Sequence, residues 1–198
     1  MINLNHLLTQ KDLSQLDLAG VNLSNINLSY VNLSRTNLSK ADLSNANLSN
    51  ANLSNAILTE SYLMGTDLRQ ANLHYADLSG ANLIAANLRQ ANLREADLSH
   101  TKLIRANLSE TNLIKANLIQ ADLTKANLHQ AELLNAYLYQ AILTRANLTE
   151  AHFNSAYLVD VNLDYAILNH TDLRWTNLRK TNLNRVDLTT ANLRGSNR

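Results

Sequence analysis

A leucine, or once a phenylalanine (Phe153), stands at every fifth residue from Leu8 to Leu193, without an insertion or a deletion. The unit around it reads loosely A-(N/D)-L-x-x, as in ANLSNANLSN over 46–55. No regular secondary structure has this period. On an α-helix five residues advance about 500°, roughly 140° beyond a whole turn, so successive leucines would spiral over every face. In a straight strand, residues five apart point to opposite faces. All the leucines share one interior only if the chain bends once per unit, which excludes both a helical bundle and a flat sheet.

Within a unit, the residue two before the leucine is most often Ala and shares its side, hence inward. The Asn or Asp just before the leucine and the residue just after it point outward, and the fifth residue turns the corner. Stacked coils let backbone groups pair from coil to coil as parallel strands do. One coil alone buries too little to offset the entropy of ordering its backbone, so stability must come from neighbours.

Unusual residues count the sides. At spacing twenty, Met64, Ile84 and Ile104 line up, as do Ile119, Tyr139 and Val159; Tyr137 pairs with Tyr157, and Arg105, Lys125 and Arg145 form a row. Spacing fifteen recovers fewer such runs. The expectation is an all-β solenoid, a quadrilateral parallel β-helix with four pentapeptides per coil. About nine coils make a rod roughly 40–45 Å long at the strand spacing.

The pattern over residues 11–195 resembles the pentapeptide repeat proteins. That resemblance implies a right-handed coil with Leu or Phe at the centre and Ala two before it pointing inward. Some thirty-seven uninterrupted units exclude chance. Leucine-rich repeats and hexapeptide helices fail because their periods differ. Many members of the family occur in cyanobacteria, and many have unknown function.

Composition narrows the setting. The chain of 198 residues has no Cys and no Pro, so disulfides and thiolate metal sites are excluded, and a reducing compartment fits. The segment MINLNHLLTQKDLSQ has no basic stretch followed by an apolar run, and no segment approaches a membrane span; the expected location is cytoplasmic. Net charge is +1, with six basic residues against Asp172 and Asp187 from Thr171 onward.

A solenoid must close its ends. Leu16, Val21, Ile26 and Val31 place bulky residues at the Ala position on one whole coil, and Ile2, Leu4, Leu7 and Leu8 precede them. Residues 1–10 are therefore expected to form a cap ahead of the β-helix of 11–198. After Leu193 no apolar cap follows, which suggests a homodimer stacked end to end through the C-terminal coil.

Three outward groups qualify as candidate sites. Ile114, Ile119, Leu134, Tyr137, Tyr139, Tyr157 and Val159 occupy normally polar positions on two adjacent sides, as a protein-binding patch would. Strand propensity alone also accounts for such residues. Arg105, Lys125 and Arg145 climb one corner, with Lys102, Arg69 and Arg89 nearby, a basic surface for an anionic partner. Glu132, His152 and Asp172 align on one face, but a flat wet face suits a substituted Asn/Asp ladder better than acid–base chemistry or a metal. No pocket, nucleophile–base pair or cofactor loop is legible, so neither enzyme activity nor a cofactor is expected.

The expected role is a non-enzymatic scaffold for protein–protein interaction, with nucleic acid and membranes outside the expected partners. The resemblance supplies an alternative: some pentapeptide repeat proteins mimic duplex DNA, bind DNA gyrase and protect it from quinolones. That mimicry needs a dense anionic surface. Here nine Asp fill the position before leucine, leaving seven other acids against seventeen basic residues.

Overall fold

The computed structural model describes residues 11–198; the expected cap over 1–10 lies outside them. Parallel bridges tie the residue before each central leucine to its counterpart twenty positions on, from Asp12↔Asn32 to Asn177↔Asn197. A bend every five residues and a contact every twenty give a four-sided coil. The first side carries the centres Leu13 to Leu193, the second Leu18 to Leu178, the third Leu23 to Leu183 and the fourth Leu28 to Leu188.

Coils are held by a repeating set of backbone bonds. The Leu33 N–H donates to the Asn52 carbonyl at 2.7 Å, the Arg35 N–H to Ser54 at 3.0 Å, and the Asn52 N–H back to Val31 at 3.0 Å. A fourth bond closes the corner, as where the Ala46 N–H donates to the Leu43 carbonyl at 3.0 Å. The backbone is thus paired although each side offers only a few extended residues.

Corners require a left-handed residue. The second residue after each leucine has φ between 54° and 62° at thirty-two non-glycine positions, and 66–72° at the four glycines. A residue with a Cβ pays about 1–2 kcal/mol for that conformation, so stacking imposes it on nearly every corner. Among the described corners only Thr190 escapes. There the fourth side leaves the stack: Ile167 has no parallel bridge to Asp187, and the Thr190 hydroxyl accepts the His170 N–H at 3.1 Å.

The shaft is filled by central side chains that are 0–2% exposed from Leu13 to Leu178, Phe153 included. Thr enters the small inward position because its hydroxyl finds a carbonyl, as Thr66 does on Leu43 at 2.7 Å. Burial falls off at both ends. Leu16 is exposed and Val21 and Ile26 are half-buried, while Val31 is buried. On the last coil Leu183, Val186, Leu188 and Leu193 are half-buried.

Candidate functional site

Because the corners up to Arg185 are tight and no loop interrupts the coil among the described residues, side chains reach solvent only from fixed columns. The ordinary occupant of the column before leucine is Asn or Asp, and its role is local. Its Oδ1 accepts the N–H two residues on, as Asn47 does from Ser49 at 3.0 Å. Where Asn repeats at spacing twenty, its amide also donates to the coil before: Asn52 to Asn32 at 3.1 Å, Asn72 to Asn52 at 3.2 Å, Asn92 to Asn72 at 3.1 Å. This ladder ends on Asp12, and two shorter pairs end on Asp17 and Asp97. A carboxylate only accepts, which suits a terminus.

Against that background the apolar group stands out. Tyr137 and Tyr157 occupy the Asn column of the second side on adjacent coils; their rings stack at 5.0 Å between centroids and 4° between planes, and both are exposed. Two residues on, Ile119, Tyr139 and Val159 form a parallel column, with Tyr139 exposed and the other two half-buried. Ile114 and Leu134 end the first side and lie half-buried across the corner from the tyrosines. A depression of about 180 Å³ beside Tyr139 and Val159 continues to Asp160, Asn177, Arg179 and Lys180. It is smaller than most small-molecule sites, so the feature is a surface rather than a binding cavity.

The basic group separates into two kinds. Arg105, Lys125 and Arg145 share the corner after the third side, whereas Arg69 and Arg89 lie on the fourth side and are already paired. Arg69 meets Asp67 at 2.6 Å, and the guanidinium holds that carboxyl below its usual range. Arg89 meets Glu110 at 2.9 Å; the Gln90 amide and then Arg89 lower the Glu110 carboxyl. Lys102 projects from the third side itself, in register with Asp122 on the next coil. Two residues of the corner row escaped sequence reasoning. Tyr165 and Arg185 continue it, with the Tyr165 ring 5.4 Å from the Arg145 guanidinium and 4.8 Å from that of Arg185. The same spacing of twenty, carried two steps further, finds them.

The Glu132, His152 and Asp172 row does not act as a unit. His152 Nδ1 lies 2.9 Å from Glu132 Oε1, but Asp172 is engaged by Arg174 at 2.6 Å and by the Asn154 amide at 2.8 Å. Arg174, then Asn154, push the Asp172 carboxyl down to about 2. Among the described residues no group of three or more His, Cys, Asp or Glu is placed to hold a metal ion. Among them, too, no helix is long and apolar enough to cross a membrane.

The family described as Pentapeptide repeats matches residues 8–45, 46–83, 91–130, 131–164 and 156–195. The chain belongs to the pentapeptide repeat family, and its fold is the right-handed quadrilateral β-helix. Among solved structures it is similar to HetL, a pentapeptide repeat protein involved in heterocyst differentiation regulation from the cyanobacterium Nostoc sp. strain PCC 7120. That match has 32% identity over 98% of this chain and 94% of that one, with a TM-score of 0.49. It is also similar to full-length QnrB1, a plasmid-mediated fluoroquinolone resistance protein, at 16% identity, 93% and 92% coverage and a TM-score of 0.58. No protein of curated function matches the chain.

Proposed function

We propose that this chain is a non-enzymatic scaffold that engages a protein partner through the apolar columns of its second side. One observation carries the reading: the Asn ladder is replaced, on two consecutive coils, by the exposed stacked pair Tyr137 and Tyr157. An Asn at those positions serves the corner backbone, whereas the tyrosines extend the Ile119, Tyr139 and Val159 column beside them into one contact area. Tyr supplies large apolar area at low entropic cost, which suits the core of an interface. The test compares partner recovery by wild type and by a Tyr137→Ser/Tyr139→Ser/Tyr157→Ser variant in a pull-down from the source cell. A partner retained by an Arg69→Gln control and lost with the tyrosines supports the assignment; identical partners with all three forms reject it.

The end-to-end homodimer belongs to the same reading. A second copy stacked on the last coil covers the half-buried Leu183, Val186, Leu188 and Leu193. Light scattering that finds only monomer at high concentration removes it. The gyrase reading draws on fold likeness alone, and the corner row of cations works against duplex mimicry. A supercoiling assay in which the protein leaves gyrase unaffected at micromolar concentration agrees with the scaffold reading; inhibition reverses the order.

A further inference from the structure

The four corners differ in charge. The corner after the third side carries Arg105, Lys125, Arg145, Tyr165 and Arg185 on five successive coils, and no carboxylate anywhere along its described length. Each of the other corners carries acids: Glu95 after the first side, Glu60 and Asp160 after the second, Glu110 and Glu150 after the fourth. Three of those acids pair with cations one coil away or close by, Lys40–Glu60 at 3.5 Å, Arg89–Glu110 at 2.9 Å and Lys115–Glu95 at 4.0 Å, while Glu150 and Asp160 accept the Gln130 and Gln140 amides at 2.8 and 2.9 Å. Among the described residues Arg105, Lys125 and Arg145 enter no ion pair, and all three are exposed. The flanking columns give little relief: Asp122 is engaged by the Thr124 N–H and hydroxyl, and Asp164 faces Arg185 at 3.6 Å.

Like charges one coil apart, about 5 Å, repel by about 1 kcal/mol even in water. The row therefore holds a standing, directional field that an anionic chain relieves. Tyr165 shapes that field by sitting between two guanidiniums, each held toward its ring. With guanidiniums from the coil before and the coil after both against the ring, a nucleobase has to displace one of them to stack there. On the fourth-side flank runs the ladder Asn87, Asn107, Asn127 and Asn147, in which the amides of the last three each donate to the coil before at 3.1–3.3 Å. An amide has two N–H groups, so each rung keeps one donor for an oxygen ligand.

We propose that this corner binds a linear polyphosphate chain lying along the rod axis. The cations form a straight row about 19 Å long on a convex edge. A compact anion meets two of them at most, whereas an unbranched chain of closely spaced phosphoryl groups meets all four. The amide donors beside the row suit phosphoryl oxygens and need no apolar group on the ligand.

The probe is long-chain inorganic polyphosphate, titrated into the whole chain by calorimetry at several salt concentrations. Wild type binds, with affinity that falls as salt rises. The Arg105→Gln/Lys125→Gln/Arg145→Gln variant loses at least tenfold, and its salt slope falls by about 2, from roughly 0.7–0.9 per phosphate contact. Glutamine already occupies this left-handed position at Gln70, Gln90 and Gln120, so the variant keeps the corner backbone; Lys125→Gln alone, expected to lose about threefold, serves if the triple variant does not fold. An Arg69→Gln/Arg89→Gln control changes affinity less than twofold. Unchanged binding by the triple variant, or an equal loss in the control, overturns the site. Single-stranded DNA or polyglutamate binding as tightly as polyphosphate overturns the ligand.

Discussion

Asn72 donates its side-chain amide to Asn52 Oδ1 at 3.2 Å while its own Oδ1 accepts both the Asn92 amide and the His74 N–H. The two ends of this one side chain do unequal work: two bonds are accepted and one is given. Asn72→Ala removes all three and costs about 1–2 kcal/mol, moderated by the half-exposed setting. Asn72→Asp keeps both acceptor bonds but sets a carboxylate oxygen against Asn52 Oδ1 in place of the donor, and costs about 0.5–1 kcal/mol. Urea midpoints of the two variants check the order, and a larger loss for Asp than for Ala contradicts it.

The left-handed corners make a backbone prediction. Ala85 has φ of 57° and carries only a methyl group there. Ala85→Gly removes the Cβ conflict at the expense of a freer unfolded chain, for a net gain of about 0.5–1 kcal/mol. The reverse change, Gly80→Ala, meets nothing closer than 3.6 Å, so its loss of similar size reflects φ alone. Gly195→Ala differs, since a Cβ there runs into the Trp175 ring and displaces the indole. Thermal midpoints, with Trp175 fluorescence for the last variant, read these effects.

Position along the rod sets the value of each leucine. Leu113 is 0% exposed and has full coils on both sides. Leu113→Ala leaves a cavity and is expected to cost about 3–5 kcal/mol. Leu193 has the same place in the motif but is half-buried on the last coil, so Leu193→Ala costs about 1 kcal/mol. Equal losses in denaturant unfolding contradict a nearest-neighbour solenoid.

Asp172 links stability to acid. Its carboxyl is held at about 2, chiefly by Arg174, below the ordinary value of about 3.9. A depressed carboxyl contributes stability that is present above about pH 4 and is lost as pH falls through about 2. With Arg174 partly exposed, solvent screening leaves about 1 kcal/mol at neutral pH. Asp172→Asn is therefore less stable than wild type at pH 7, and the gap closes between about pH 4 and 2. A gap independent of pH in chemical unfolding contradicts this assignment.

The architecture was legible because a spacing of five admits one interior and few ways to reach it. Phe153 fits that interior as a leucine does, and the row of Arg105, Lys125 and Arg145 was visible from the spacing of twenty. Pairing was not. That Arg89 meets Glu110, twenty-one residues away, while Arg105 meets no acid depends on how long side chains bend across a corner. Nor does the repeat foretell that Tyr165 holds two arginines.

The sequence by itself determined the coil, its four sides, the inward columns and the outward ones, because burial of a strictly periodic side chain fixes the path of the backbone. Only the tertiary structure decided which outward charges are spent on one another. Those pairings arise between neighbouring coils and across corners, where flexible side chains choose among partners that the period places at similar distances.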